Sequence, residues 1–238
     1  MQAPLIRTLF ATKGIRTPPN HAAIWWTGEN ASPPENHKFD LCISFNQTPA
    51  DDKNLYFPLF YSELLFPNLD SRNRLGIELP PLSTLLERRE LPMKEAFICA
   101  FINNPEANRL AALELLAQHG KVDVYGSMSG KPVEGKFATG KVYKFVMCFE
   151  NSLSPGYITE KLLDAYLCGA VPLYWGDLGN EPHINRKAFI NARNFSSLEE
   201  FARYVGSLSD EEYRKIHSEP LLNSLPSADK LIEAIRRL

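Results

Sequence analysis

The chain has 238 residues, enough for one large domain or two small ones. Its 44% hydrophobic and 23% charged content and its formal net charge of −2 are ordinary for a globular protein. They exclude a general attraction to nucleic acid or other polyanions, so any anion site must be local.

In chain order, the start "MQAPLIRTLFATKGIRTPP" has too short an apolar run for a signal peptide, and no segment is apolar for long enough to span a membrane. The expectation is a soluble cytoplasmic protein with at most peripheral contact at the inner membrane. Residues 1–92 are rich in proline and short apolar runs. "AAIWW" (Ala22–Trp26) and "FDLCISF" (Phe39–Phe45) read as strands, and "PPLSTLLERRELP" as a short amphipathic helix joining two regions. From Glu95 the pattern changes. "AFICAFI" (Ala96–Ile102) is the continuous apolar run of a strand covered on both faces. "NPEANRLAALELLAQHG" predicts a helix capped by Asn104 and ended by Gly120. Strands follow at "VDVYG" (Val122–Gly126) and "YKFVMCFE", then a helix from about Thr159, a strand at Ala170–Trp175, another at Ala188–Ala192, and three closing helices.

Strands alternating with helices predict a doubly wound α/β sheet, with ligands gathering at the carboxyl ends of its strands. The loop "FENS", Gly126 and the loop after Trp175 then share one edge. The four cysteines, Cys42, Cys99, Cys148 and Cys168, form no CxxC pair and sit among apolar neighbours. They read as buried reduced thiols and favour a reducing compartment. The histidines form no i,i+4 pair, and "ADDK" at Asp51–Asp52 lacks the D-x-D spacing that holds a divalent metal, so no metal or cofactor is expected.

The stretch "SPGYITEKLLDAYLCG" concentrates the chemistry. Lys161 falls in the first turn of a helix, where the N-terminus already carries partial positive charge. One reading is an anion site, with free backbone N–H groups and Lys161 facing a phosphate and Glu160 accepting from neutral hydroxyls such as a ribose diol. The other is a capped helix with a solvated Glu160–Lys161 pair. Chemistry alone leaves the two open.

The run "KFVMCFENSLSPGYITEKLLDAYLCGAVPLYWGD" closely resembles the donor-binding motif of α-1,3/4-fucosyltransferases, glycosyltransferase family 10. "AAIWWTGENASPPENHKFDLCISF", "FINNPEANRLAALELLAQHGKVDVYG" and "RKAFINARNFSSLEEFARYVGSLSDEEYRKI" resemble further segments of its bacterial members. The resemblance covers roughly residues 22–220. It implies a GT-B-like fold of two Rossmann-like domains: a short or truncated acceptor-side domain at 1–92, and a GDP-fucose-binding domain with C-terminal helices at 93–238. It implies inverting transfer of L-fucose from GDP-fucose to N-acetylglucosamine in an oligosaccharide or lipopolysaccharide acceptor.

By motif position, Arg109 and Lys161 would pair with the diphosphate, Asn151 and Tyr157 would contact phosphates or fucose, Glu160 would hold the ribose, and Glu29 of "TGEN" would be the general base. Four further candidates have equal rivals. Glu150 either meets ligand or braces its loop, Tyr125 and Gly126 either serve the donor or end a strand, and Trp26 either lines the sugar site or packs in the core. Two features depart from the family pattern. The stretch before "IWWTGEN" is short, and Tyr56–Phe57 stand where the family tends to have an arginine. A transferase for another nucleotide sugar, and a noncatalytic nucleotide- or glycan-binding remnant, are the alternatives.

Overall fold

The computed structural model describes residues 22–33, 38–47, 53–66, 80–90, 92–131, 133 and 135–238, and the backbone of Arg7–Leu9. The Asp51–Asp52 dipeptide lies outside the described residues. Two parallel sheets organise the chain. The first has strands β1 (Arg7–Leu9), β2 (Ala23–Trp26), β3 (Leu41–Ser44) and β4 (Asn54–Tyr56), in that spatial order. Helix α1 (Leu59–Leu65) follows, then a 3-10 turn at Leu82–Leu86. That turn stands where the amphipathic helix was expected. Only Leu85 of its five residues is buried, too little apolar face to hold a longer helix.

The second sheet holds β5 (Ala96–Phe101), β6 (Val122–Tyr125), β7 (Tyr143–Phe149), β8 (Val171–Trp175) and β9 (Ile190–Asn191), in the order β6-β5-β7-β8-β9. Its helices are α2 (Ala107–Ala117), α3 (Lys136–Gly140), α4 (Glu160–Leu167), α5 (Leu198–Ser207), α6 (Asp210–His217) and α7 (Asp229–Arg236). The order reverses between β5 and β7. In open α/β sheets that switch point opens a crevice at the strand carboxyl ends.

Alternation along β7 explains why this sheet is covered twice. Phe145, Met147 and Phe149 face a core shared with Leu113 and Leu116 of α2, Phe201 of α5 and Tyr213 of α6. Val146 and Cys148 face the opposite cluster with Leu162 and Leu163 of α4. That second cluster runs on through Phe60 and Leu64 of α1 to Ile24, Leu41 and Ile43 of the first sheet, so the two lobes share apolar core. The fifth strand is shorter than the expected Ala188–Ala192. Pro172 can donate no ladder hydrogen bond, and β9 pairs with β8 only beyond it, at Leu173 and Tyr174.

Two expected helix boundaries are corrected. The N-cap of α2 is Glu106, without a side-chain cap bond, because Asn104 turns its amide to Glu106 Oε1 (2.8 Å). Gly120 lies past the C-cap Gln118 and serves packing: a Cβ there would come within 2.4 Å of the Phe97 ring.

Candidate active site

A cavity of about 840 Å³ opens at the switch point between β5 and β7. Its walls come from the ends of β5 and β6, the loop after β7, the first turns of α4, and Glu29 of the first lobe. Of the ten residues singled out in the sequence, Glu29, Arg109, Gly126, Asn151, Glu160 and Lys161 line it.

The helix α4 begins as the motif predicts. Thr159 is its N-cap and accepts from the backbone N–H of Lys161. Glu150 is wholly buried and reaches back under this turn. Its Oε1 accepts from Thr159 N (2.9 Å) and its Oε2 from Thr159 Oγ1 (2.7 Å). Lys161 Nζ lies 2.9 Å from Thr159 Oγ1, 3.4 Å from Glu160 and 3.5 Å from Glu150. The lysine at the positive end of the helix is therefore balanced within the protein by two carboxylates. Burial opposes its charge, but Glu160 and Glu150 outweigh that and hold the ammonium above the usual lysine range. Burial pushes the Glu150 carboxyl up, against the pull of Lys161 and Thr159. Burial also acts to raise Glu160, yet Lys161 and Lys136 bring it below the ordinary carboxylate value.

Arg109 comes from the first turn of α2 and is only 5% exposed. Its Nη1 donates to Asn104 O (2.8 Å), and its Nη2 donates to Phe149 O (2.6 Å) and Asn151 Oδ1 (2.6 Å). The guanidinium thus ties α2 to the end of β7 across the switch point. Burial draws it below the usual arginine range, and Glu150 opposes that.

From the first lobe, the "TGEN" segment forms a tight turn. The Thr27 hydroxyl donates to Glu29 O and accepts from Glu29 N, both at 3.0 Å. The exposed Glu29 carboxylate is held on one side by Tyr157, whose hydroxyl donates to Oε2 at 3.1 Å. Asn30 adds bonds to Ser152 Oγ and Ser154 Oγ at 2.8 and 2.9 Å.

Four sequence candidates sit behind the cavity wall. Glu150 braces the α4 entry and offers no exposed surface, the geometry of the second of its two readings. Tyr157 is 2% exposed, packs edge-on against Phe45 and orients Glu29 instead of lining the cavity. Burial, then the Glu29 charge, push its phenol far above the usual value, so it stays a donor. Tyr125 packs against Phe101 and shares a hydrogen bond with Tyr143 (2.8 Å). Trp26 packs edge-on against Phe57 in the first-lobe core. Gly126, by contrast, is needed where it lies. It has φ +105°, and a Cβ would meet Ile102 O at 2.6 Å.

Sequence reasoning missed Asn103, Ser127, Lys131, Lys136 and Asp164, which also line the cavity. Asp164 had a signal, four residues after Glu160 and so on the same helical face. Lys136 had none, because the stretch around it shows no periodicity.

A two-lobed α/β protein with cations, carboxylates and a helix N-terminus around one cavity at the switch point has the build of an α/β ligand-binding protein. Comparison makes the class specific. The family model "Glycosyltransferase family 10 (fucosyltransferase) C-term" matches residues 91–218, and the chain belongs to that family. It is 30% identical over 210 residues to an alpha-(1,3)-fucosyltransferase, FucT, of Helicobacter pylori, across 78% of this chain and 44% of that protein. It is 35% identical over 122 residues to mouse 4-galactosyl-N-acetylglucosaminide 3-alpha-L-fucosyltransferase 9, across 49% of this chain and 34% of that one. The chain thus spans less than half the length of these curated relatives. In three dimensions it is similar to a crystal structure of an alpha1,3-fucosyltransferase with GDP-fucose, with TM-score 0.71 and 25% identity, over 93% of this chain and 75% of that one. The architecture is accordingly GT-B-like.

Proposed function

We propose that the chain transfers L-fucose from GDP-fucose to a hydroxyl of N-acetylglucosamine in a glycan or lipopolysaccharide acceptor, with inversion at the anomeric carbon. The carrying observation is convergence: Glu29 from the first lobe lines the same cavity as Arg109, Glu160 and Lys161 from the second. Residues 1–92 form the acceptor side in this reading and 93–238 the donor side.

In the transfer step, Glu29 takes the proton of the acceptor hydroxyl as that oxygen bonds to the anomeric carbon. The bond from that carbon to the β-phosphate oxygen breaks on the opposite face. The charge left on GDP is met by Lys161, Arg109 and the N–H groups opening α4, a role that needs no divalent metal. A phosphate displaces Glu150 and Glu160 as partners of Lys161 only in part, because Glu150 stays tied to Thr159. The transition state has oxocarbenium character, as in other glycosyl chemistry. A reducing, cytoplasmic setting belongs to the same reading, supported by four free buried thiols. No helix among the described residues is long and apolar enough to cross a membrane.

The test is to incubate the protein with GDP-fucose and an N-acetyllactosamine-type acceptor and weigh the product by mass spectrometry. A gain of one deoxyhexose is expected. Glu29→Gln should cut turnover by about 10²–10⁴-fold, the usual worth of a general base, while GDP affinity holds. GDP binding with no product from any acceptor would point to the noncatalytic alternative.

A further inference from the structure

The turn that carries Glu29 is fastened to the second lobe at two adjacent residues. Tyr157 holds the Glu29 carboxylate through Oε2 at 3.1 Å. The exposed Asn30 directs Nδ2 to Ser152 Oγ (2.8 Å) and to Ser154 Oγ (2.9 Å), both in the loop after β7. A side-chain amide nitrogen carries two N–H donors, and here one goes to each hydroxyl.

These contacts close a ring across the lobes. Ser154 O accepts from Tyr157 N at 3.0 Å, and the Tyr157 hydroxyl reaches Glu29. The chain then joins Glu29 to Asn30, whose amide returns to Ser154. Each side of the ring is anchored in its own lobe. On the second, Asn151 accepts from Arg109 (2.6 Å), and Gly156 N donates to Asp177 O (2.8 Å). On the first, the Thr27 hydroxyl spans Glu29 N and Glu29 O. A carboxylate held at one point swings about it. A second hold at the neighbouring residue also fixes the rotation of the turn.

Stability does not account for the arrangement. Hydrogen bonds between exposed groups replace bonds to water at small net gain, and the lobes already share apolar core through Phe60 and Leu64. Placement of Glu29 does account for it. We propose that Asn30 is a positioning residue, whose two bonds to Ser152 and Ser154 clasp the lobes so that Glu29 meets the acceptor hydroxyl in line with the donor. This rests on the transferase reading above and adds what orients its base. The rival is an incidental surface contact.

Steady-state kinetics, GDP calorimetry and thermal melting of wild type, Asn30→Ala, Ser152→Ala/Ser154→Ala and the combined triple variant separate these. Removing either side of the clasp should lower kcat by about tenfold or more, since a misplacement of about 1 Å can cost about a hundredfold. The KM for GDP-fucose, the GDP affinity and the melting temperature should hold, because the lost interaction acts on the transfer step. The triple variant should be no slower than either parent, because the two sides work as one unit. Unchanged kcat in Asn30→Ala, or losses that multiply in the triple variant, overturns the clasp and leaves the transferase reading standing. So does a loss of kcat matched by equal losses of GDP affinity and melting temperature, the mark of a general structural fault. If Asn30→Ala does not fold, unchanged kcat in the serine variant overturns the clasp instead. Wild type that transfers no fucose to any acceptor refutes both readings.

Discussion

His217, at the end of α6, lies in the core as a neutral imidazole. It is 3% exposed, stacks on Tyr213, and meets Gly169 O at 2.7 Å through Nε2, which must carry the proton because a carbonyl only accepts. Burial, and then the nearby Arg89 guanidinium, lower its pKa from 6.5 to about 4, while the Gly169 bond pulls weakly the other way. The folded protein therefore binds this proton less readily than the unfolded chain. Its contribution to stability is complete above pH 6.5 and declines as pH falls toward about 4. Unfolding free energy from urea titrations should drop by about 2 kcal/mol between pH 7 and pH 5 on this account. Most carboxylates titrate lower, so His217→Gln, which can still donate to Gly169 O, should flatten that interval. An unchanged slope in the variant would remove the assignment. Arg89 is the other half of this cluster: its guanidinium donates to His217 O, Tyr166 O and Ala170 O and lies 3.8 Å from the Tyr166 ring centre. Nothing in "LERRELP" distinguishes Arg89 from Arg88, whose side chain is largely exposed. The carbonyls that select Arg89 come from residues about 80 or more positions away, at helix ends that sequence periodicity does not locate.

At the scale of elements, the turn into α4 depends on Gly156. It has φ +80°, and a Cβ there would sit 2.7 Å from Phe45 O of the first lobe. Its N–H donates to Asp177 O (2.8 Å), so the turn also joins the loop after β8. Gly156→Ala should cost about 2 kcal/mol or more, from left-handed backbone strain of roughly 1–2 kcal/mol plus the clash with backbone. A melting temperature unchanged from wild type would show that the lobes separate freely here. This turn was legible in the sequence, since glycine before a capped amphipathic helix has few other uses. The strands β5, β7 and β8 were legible for a related reason: each is buried on both faces and reads as a continuous apolar run. The strand Asn54–Tyr56 and the helix Lys136–Gly140 were not, because three and five residues are too few to show a period. Glu150 and Lys161 were legible only as an unusual pair of charges. That they satisfy each other through Thr159 is set by how β7 meets α4, which spacing does not encode.

For the whole molecule, the question is what fixes Glu29 of one lobe relative to Lys161 of the other. The backbone supplies one link, Phe60 N to Ile158 O at 3.1 Å, and Gln47 supplies another by accepting from Asn180 N at 2.8 Å. The C-terminal helix α7 returns to pack against β4, with Leu231 buried in the shared core. The strongest polar link is Glu181, a carboxylate 3% exposed in the loop after β8. Tyr56 donates to it at 2.8 Å, Tyr61 at 2.9 and 2.8 Å, and His183 N at 2.9 Å. Burial, then the Glu181 charge, raise both phenols far above their ordinary value, so both remain donors across the working pH range. Two neutral hydroxyls thus meet the buried anion. Glu181→Ala strands the buried Tyr61 phenol and a backbone N–H, each worth about 1–3 kcal/mol when left unpaired, and takes a partner from half-buried Tyr56. The lobes should then unfold in separate steps. The three tryptophans report on them, Trp25 and Trp26 from the first sheet and Trp175 from the second. In a Trp175→Phe background, fluorescence follows the first lobe alone, while far-UV circular dichroism follows the whole chain. With Glu181 present the two urea transitions should coincide. With Glu181→Ala the fluorescence midpoint should fall below the dichroism midpoint, and the proposed fucosyl transfer should fall more than GDP affinity, because Glu29 and the pair Arg109 and Lys161 no longer share one frame. Coincident transitions in the variant would show that the apolar core alone couples the lobes.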